Sequence, residues 1–152
     1  MFRGITNVSL DGKSRLALPT RLRETMQLSC AGKVVLTIDM RERCLMLYPL
    51  PEWEKVQATL VGLANIRSDI RTVQRLLIGH ASDLELDGQG RLLVPKLLRN
   101  YAELDKKLIL LGQGNKIEIW NEQNWHDRLG DWLESDVVRT LDDIDELSGF
   151  AL

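Results

Sequence analysis

The chain has 152 residues, of which 44% are hydrophobic and 28% charged, and its net charge is −2. A chain of this length buries roughly two-thirds of its unfolded surface, which is enough for one ordinary domain or for two small units that share a core. It has neither an apolar run that could cross a bilayer nor a hydrophobic signal segment near its start, so we expect a cytoplasmic protein without a membrane partner. Cys30 and Cys44 are too few for a disulfide framework, and we expect reduced thiols, with a single bridge as the alternative.

The first half alternates short strands with helices. An apolar stretch leads into a polar turn that begins at Asp11, and Pro19 stops the return strand. Thr20 is suited to cap the helix that follows. In chain order we predict strands over 5–10, 16–18, 34–38 and 44–48, a helix over 20–28, a helix that opens at Pro51 with an apolar stripe as far as Leu63, and a helix over 69–78.

The second half repeats the first. The stretch LDGKSRLALP at 10–19 returns seventy-six positions later as LDGQGRLLVP at 86–95, and the offset falls to seventy-two after a shorter second inner turn. We predict strands over 81–86, 92–94, 108–111 and 117–120, a short helix over 96–101, and a helix from about 123. Because a lone hairpin is only marginally stable, we expect each half to cover the apolar face of the other in an α+β pseudo-dimer.

This pattern divides the chain into four segments. We predict a first repeat over 1–52, a helical linker over 53–78, a second repeat over 79–125, and a C-terminal helix with an acidic tail over 126–152. The tail has weak helical periodicity. Residues 131–152 hold seven acidic residues and one basic residue, a net charge of −6, which leaves +4 on residues 1–130.

The positive charge is concentrated early in the chain. Between residues 1 and 23 a single acidic residue, Asp11, faces five bases: Arg3, Lys13, Arg15, Arg21 and Arg23. Nucleic-acid binding responds to a local patch rather than to the net charge of the chain. The early cluster is therefore a candidate patch for binding double-stranded DNA.

Each turn begins with an aspartate that can fix it. Asp11 and Asp87 can accept hydrogen bonds from backbone N–H groups two residues later. Arg15 and Arg91 can either pair with these aspartates or project outward. For Arg91 we favour the local ion pair, because the neighbouring Gln89 adds no charge.

For Arg15 we favour an outward role. Lys13, Arg15 and Arg3 would place like charges on one tip, which becomes favourable only against an anion. An exposed arginine on a two-stranded β-ribbon can enter the major groove and contact guanine, while Lys13 meets phosphate. A single tip binds weakly, so this mechanism implies several copies in a homo-oligomer.

Enzyme chemistry is not indicated. His80, Ser82 and Asp83 are the residue types of a catalytic triad, but neighbours in one strand cannot assemble its geometry. Gly112-x-Gly114 lacks the third glycine of a nucleotide loop, since Ile117 occupies that position. We therefore expect no catalytic residue, small-molecule substrate, metal or other cofactor.

The segment between the repeats carries a second set of bases. Arg67, Arg71 and Arg75 lie on one side of the helix predicted over 69–78, most simply as a solvated face. Together with the acidic tail they allow a rival interpretation, a ring-forming protein-interaction scaffold that does not bind DNA.

These motifs resemble the MraZ family, bacterial transcription regulators built from two AbrB-type (SpoVT-AbrB) swapped-hairpin repeats. The resemblance covers nearly the whole chain as far as about residue 133, and the residues that carry it are Met1-Phe2-Arg3-Gly4, Leu10-Asp11-x-Lys13-x-Arg15-Leu16-x-x-Pro19, Leu45-x-Leu47-Tyr48-Pro49-Leu50-x-Glu52-Trp53, Ala81, Leu86-Asp87-x-Gln89-Gly90-Arg91-Leu92-x-x-Pro95 and Glu118-x-Trp120-x-x-x-x-Trp125.

The resemblance implies a β-rich swapped-hairpin barrel of two ββαββα-like repeats. It also implies sequence-specific binding to repeated sites upstream of the protein's own division and cell-wall gene cluster, a ring of several subunits, and association with the nucleoid. The first motif carries over to Asp11, Lys13 and Arg15, with Arg15 as the expected DNA contact, whereas Arg3 is added on charge and proximity alone.

One position departs from the family pattern. Where the family usually has glycine, this chain has Ser14, while the second repeat keeps Gly90. A non-glycine residue with positive φ costs on the order of 1 kcal/mol. We expect either that cost at Ser14 or a shifted turn in which Gly12 takes the strained conformation.

Overall fold

The computed structural model describes residues 1–149. Contacts divide the chain into two compact units, Met1–Glu122 and Gln123–Leu152. The last three residues of the predicted acidic tail, 150–152, lie outside the described part. Among the described residues, none of the helices has the length and hydrophobicity that crossing a membrane requires.

The first unit follows the predicted alternation of strands and helices. Its elements are β1 (Phe2–Ser9), β2 (Arg15–Ala17), α1 (Thr20–Cys30), β3 (Lys33–Ile38), β4 (Leu45–Pro49), α2 (Leu50–Val61), α3 (Ser68–Leu77), β5 (Ser82–Glu85), β6 (Arg91–Leu93), α4 (Lys96–Tyr101), β7 (Lys107–Gly114) and β8 (Ile117–Asn121). The sequence placed the start of β1 three residues too late and the end of β7 three residues too early.

The strands obey a pseudo-twofold relationship. Six of them form one antiparallel sheet in the order β1-β7-β8-β4-β3-β5, and β2 and β6 form a separate two-stranded ribbon. Exchanging the two repeats turns this order into itself, with β4 and β8 at the centre. The α+β pseudo-dimer is therefore confirmed, although among the described residues the large sheet is open, with β1 and β5 at its edges, rather than closed into a barrel.

The register shows where the pseudo-axis passes. In the central pair Met46 lies opposite Glu118, its own counterpart at an offset of seventy-two. In the ribbon Leu16 lies opposite Leu92, its counterpart at an offset of seventy-six. The axis therefore runs through the middle of both sheets.

Beyond each turn the two repeats exchange strands, as the swapped-hairpin resemblance implied. In the described chain the only bridge between the two arms of the first hairpin joins Leu10, just after β1, to Leu16, while β1 pairs with β7 and β2 with β6. This exchange buries Leu16 and Leu92, each 0% exposed, in the main core. A hairpin paired only with itself would leave these leucines in water, so burial favours pairing between the repeats.

Three helices begin directly after a proline. Pro19, Pro49 and Pro95 precede α1, α2 and α4, with φ values of −54°, −57° and −57°. The fixed φ of proline suits the entry to a helix. The prediction that Thr20 caps α1 was wrong, because Thr20 is the first helical residue and no side chain of residues 1–149 caps this end.

The second unit is described separately. It consists of most of α5 (Glu122–Leu133), α6 (Asp136–Arg139) and two short 3-10 turns, Leu141–Asp143 and Asp145–Leu147. On α5 the rings of Trp125 and Trp132 meet edge to face with centroids 5.7 Å apart. The weak helical periodicity of the tail thus corresponds to short turns rather than to one continuous helix.

Candidate nucleic-acid interface

The first turn is held by Asp11. Its Oδ1 accepts hydrogen bonds from the backbone N–H groups of Lys13 at 2.8 Å and of Arg15 at 2.9 Å. Its Oδ2 accepts one from Nε of Arg15 at 3.3 Å. The carboxylate therefore fixes the loop and points the arginine side chain along it.

The second turn repeats this arrangement. Oδ1 of Asp87 accepts from the backbone N–H groups of Gln89 and Arg91, both at 2.9 Å, and Oδ2 accepts from Nε of Arg91 at 2.7 Å. The local ion pair predicted for Arg91 is thus present. Because Arg15 forms the same pair, ion pairing alone does not distinguish the two arginines.

The hydrogen bonds lower the pKa of both aspartates. The backbone N–H of Arg15 is the main reason that the pKa of Asp11 lies below its ordinary value, and the backbone N–H of Arg91 does the same for Asp87. Desolvation of each carboxyl is the next cause and raises the pKa, while the guanidinium groups lower it further. Both turns therefore keep a charged carboxylate at neutral pH.

The two arginines share one face of the β2–β6 ribbon. In the antiparallel register Arg15 lies beside Leu93, and Ala17 lies beside Arg91. Because strand side chains alternate, these four side chains point away from the core while the leucine pair between them points inward. The structure thus places Arg15 and Arg91 on the same outer surface, related by the pseudo-axis.

Arg23, which the sequence analysis assigned to neither turn, contacts the second turn. Arg23 of α1 donates from Nη1 to the backbone carbonyl of Gln89 at 3.1 Å. The strand exchange carries α1 there, since the N–H of Leu18 donates to the carbonyl of Gly90. Arg23 and Gln89 are far apart in sequence, so no local pattern indicated this contact.

Lys13 and Arg3 lie in different places. Lys13 is exposed at the first turn, next to Arg15. Arg3 lies at the other end of β1, opposite Gln113, and at about 3.3 Å per residue it is roughly 20 Å along the strand from Ser9. The predicted crowding of Arg3 on the same tip is therefore not observed.

Ser14 adopts the strained conformation itself. Its φ is 62°, and Gly90 at the matching position has a φ of 72°. Gly12 is not in the left-handed region, so the turn has not shifted. The geometry of the first turn is consequently that of the second, and Lys13 and Arg15 are held as Gln89 and Arg91 are.

His80 was considered above for catalysis, and Cys30 and Cys44 for a disulfide bridge. Nδ1 of His80 is 2.7 Å from the carbonyl oxygen of Leu76. Cys30 and Cys44 are free thiols, as the sequence predicted.

The three arginines of the segment between the repeats, Arg67, Arg71 and Arg75, have different surroundings. Arg67 forms an ion pair with Asp69, with Nη2 and Oδ2 2.6 Å apart. Arg71 and Arg75 instead line a surface groove of about 440 Å³ together with Val61 and Ile78. This groove is the place where the rival interpretation, a protein-docking face, would have to be tested.

Comparison with known proteins identifies the family. The family model described as MraZ protein, antitoxin-like, matches twice, over residues 1–76 and 77–137. A transcriptional regulator MraZ of Halorhodospira halophila is 47% identical over all of both chains. The regulator of the same name from Alkalilimnicola ehrlichii is 51% identical over 88% of this chain and 89% of its own, and that of Pseudomonas aeruginosa is 52% identical over 83% of each.

The double match agrees with the repeat observed in the sequence and in the sheet. The relatives are named as regulators rather than as enzymes, in agreement with the expectation for this chain. The chain therefore belongs to the MraZ family of transcriptional regulators.

Proposed function

We propose that this regulator binds double-stranded DNA with the first turn, with Arg15 contacting bases and Lys13 contacting phosphate. The observation that carries the proposal is that Asp11 holds the guanidinium group of Arg15 at one of its three nitrogens. Of the Arg15 side-chain nitrogens only Nε donates to Asp11, and within the described residues no further partner of the Arg15 side chain is found. Two terminal nitrogens are thus left to donate to O6 and N7 of a guanine.

Pre-orientation by Asp11 favours this role. A guanidinium held at one nitrogen loses less conformational freedom when it meets a base than a freely rotating one does. Lys13 at the neighbouring position is a flexible point charge, which suits a phosphate better than a base edge. Arg3, away from the tip, has at most a phosphate contact from the far end of β1.

Several copies must act together. One tip covers a small area, and specific protein–DNA interfaces bury far more surface than a single turn offers. Tethering several tips in one homo-oligomer raises the effective concentration of each further contact. We propose a ring of several subunits that binds repeated sites upstream of its own division and cell-wall gene cluster and is nucleoid-associated in the cytoplasm, as the family resemblance implies.

The test is a band-shift assay on the DNA upstream of the gene. Arg15→Ala is expected to lose roughly 1–3 kcal/mol of discrimination for each base contact removed. The losses at the several tips of one oligomer add. The matched control is Arg91→Ala, which removes the same ion pair from the second turn. We expect this variant to change assembly or stability more than DNA affinity.

Two results would contradict this division of labour. One is an equal loss of DNA affinity in both variants with the oligomer intact, since the two arginines share one face. The other is unchanged specific binding in Arg15→Ala. Size-exclusion chromatography of each variant separates a loss of assembly from a loss of contact.

The alternative function is a ring-forming scaffold that docks other proteins at the groove beside Arg71 and Arg75. Both arginines line this groove, and neither has an ion pair in the part of the chain that the structure describes. Salt titration separates the two functions. DNA affinity that falls steeply as salt rises supports DNA binding, whereas no DNA affinity even at low salt supports the scaffold.

A further inference from the structure

We propose that Asp39, Cys44 and Glu118 form a zinc site that joins the two repeats. One carboxylate oxygen of Asp39, one of Glu118 and Sγ of Cys44 all lie within 4.8 Å of one another. Asp39 follows β3 and Cys44 precedes β4, both in the first repeat, while Glu118 lies in β8 of the second. The site is distinct from the turns proposed to bind DNA.

The strand pairing brings these residues together. Glu118 lies opposite Met46 in the central pair of the sheet, and Cys44 is two residues before Met46. Alternation along β4 therefore points Cys44 and Met46 to the same face as Glu118. The sequence did not reveal this cluster, because its members are not spaced like the ligands of any local metal motif.

The thiol of Cys44 points to a ligand. Cys44 is 0% exposed, and no hydrogen bond of its Sγ is found among residues 1–149. Sγ of Cys30, in contrast, donates to the carbonyl of Met26 at 3.0 Å. Thiolate sulfur and carboxylate oxygen are both zinc ligands, so a fully buried thiol that lies beside two carboxylates, and that has no hydrogen-bond partner in the described chain, is suited to bind this metal.

The carboxylate of Glu118 supports the same conclusion. Glu118 is only 8% exposed, and in the described chain it has no ion-pair partner. Nε1 of Trp120 donates to its Oε1 at 3.1 Å, which is one hydrogen bond for a group that is rarely buried unless it is paired. A divalent cation would supply the missing positive charge.

Asp39 would close the set from the more exposed side. Its Oδ1 accepts from the backbone N–H groups of Arg41 at 2.7 Å and Glu42 at 2.9 Å, which holds the carboxylate in place. Zinc bonds of roughly 2.0–2.3 Å put tetrahedral ligand atoms about 3.5 Å apart, so shifts of the ligand atoms by about an ångström complete the site. Water would take the fourth position.

The surrounding charge also favours a cation. The charged groups that act on Cys44 are the acidic Glu118, Asp39 and Glu42 and the basic Lys116. The acidic side chains outnumber the basic one, so the local potential attracts a cation.

Cobalt titration tests the site. Co²⁺ replaces Zn²⁺ in such sites and gives a thiolate-to-metal charge-transfer band in the near ultraviolet. We expect the chelator-treated full chain to show a band that saturates at one Co²⁺ per chain and disappears when Zn²⁺ is added. The Cys30→Ser variant, whose remaining thiol is Cys44, is expected to behave like the wild type.

Three further variants locate the ligands. Cys44→Ala is expected to lose the band, and Glu118→Gln to bind at least tenfold more weakly, while Glu85→Gln, at an exposed carboxylate of β5, is expected to bind normally. If Cys44→Ala does not fold, the titration of Cys30→Ser decides alone. A folded wild type without a saturable band would overturn the proposal, as would a band that depends on Cys30 or is unchanged in Glu118→Gln.

Discussion

Ser14 and Gly90 occupy the same position in the two turns, and both have a left-handed backbone, with φ values of 62° and 72°. The N–H of Val94 donates to the carbonyl of Ser14, and the N–H of Leu18 donates to the carbonyl of Gly90. Each strained residue therefore connects its own turn to the other repeat. In the first turn the left-handed residue is Ser14, whose Cβ atom makes this conformation unfavourable.

Replacing Ser14 with glycine should stabilise the fold. The left-handed conformation costs a residue with a side chain about 1–2 kcal/mol, part of which the greater freedom of glycine in the unfolded chain cancels. We expect Ser14→Gly to raise the free energy of unfolding by roughly 0.5–1 kcal/mol, measured by urea denaturation.

The opposite change in the second turn is the control. At Gly90 a Cβ atom would lie 2.1 Å from Cδ of Arg23, in addition to the strained φ. Gly90→Ala should therefore destabilise the fold and displace the Arg23 side chain. Equal and small effects of both changes would show that the turns are too loose for the strain to matter.

The pKa of Asp11 should respond only in part to the loss of its arginine partner. The backbone N–H of residue 15 is the main cause of the lowered pKa, and it remains in Arg15→Ala. We expect carbon-detected NMR titration to place the pKa of Asp11 in the wild type below its ordinary value of 3.8. In Arg15→Ala we expect a pKa that is higher than in the wild type but still below 3.8.

The sign of the linked stability follows from the direction of the shift. Because folding lowers the pKa of Asp11 and Asp87, their contribution to stability is complete above 3.8 and is lost as the pH falls through the lower folded values. Asp87 in the Arg15→Ala variant is the internal control, since its own partner is untouched. A full return of Asp11 to 3.8 would mean that the side-chain pair, not the backbone, holds the turn.

Lys13 should contribute charge rather than sequence discrimination. A phosphate contact releases counterions, so Lys13→Ala is expected to weaken binding to operator and unrelated DNA alike and to reduce the slope of log affinity against log salt by about one for each tip engaged. Gln89→Ala, at the matching place in the second turn, is the control. A loss confined to the operator would instead make Lys13 a base contact.

The local elements could be predicted because each signal was local. The turn that begins at Asp11, the proline before each short helix and the return of the motif at Asp87 together indicated two hairpin repeats that cover each other. The register of the central strands, with Met46 opposite Glu118, shows that this pseudo-dimer is confirmed down to single residues.

The rest depended on which strands pair across the repeats. Local patterns do not show that β2 leaves β1 for β6, so they could not place Arg23 at the second turn. Arg3 was grouped with Lys13 by sequence distance and charge, but an extended strand of eight residues carries it to the other end. The Asp39, Cys44 and Glu118 cluster was hidden for the same reason, since pairing of β4 with β8 creates it.

The pairing of the two repeats in the ribbon should carry much of the stability. Leu92 is 0% exposed and lies opposite Leu16, whereas the next residue, Leu93, is 56% exposed on the outer face. Leu92→Ala is expected to lower the free energy of unfolding by about 2–5 kcal/mol, because it removes buried methyl groups and leaves a cavity on the pseudo-axis. Leu93→Ala, the same change one residue away, should alter it by about 0.5 kcal/mol or less unless self-association covers that face. Denaturation of both variants at several protein concentrations separates the loss of core packing from the loss of self-association. If Leu92→Ala lowers the free energy of unfolding of the dilute protein no more than Leu93→Ala does, the exchanged ribbon is not what holds the repeats together.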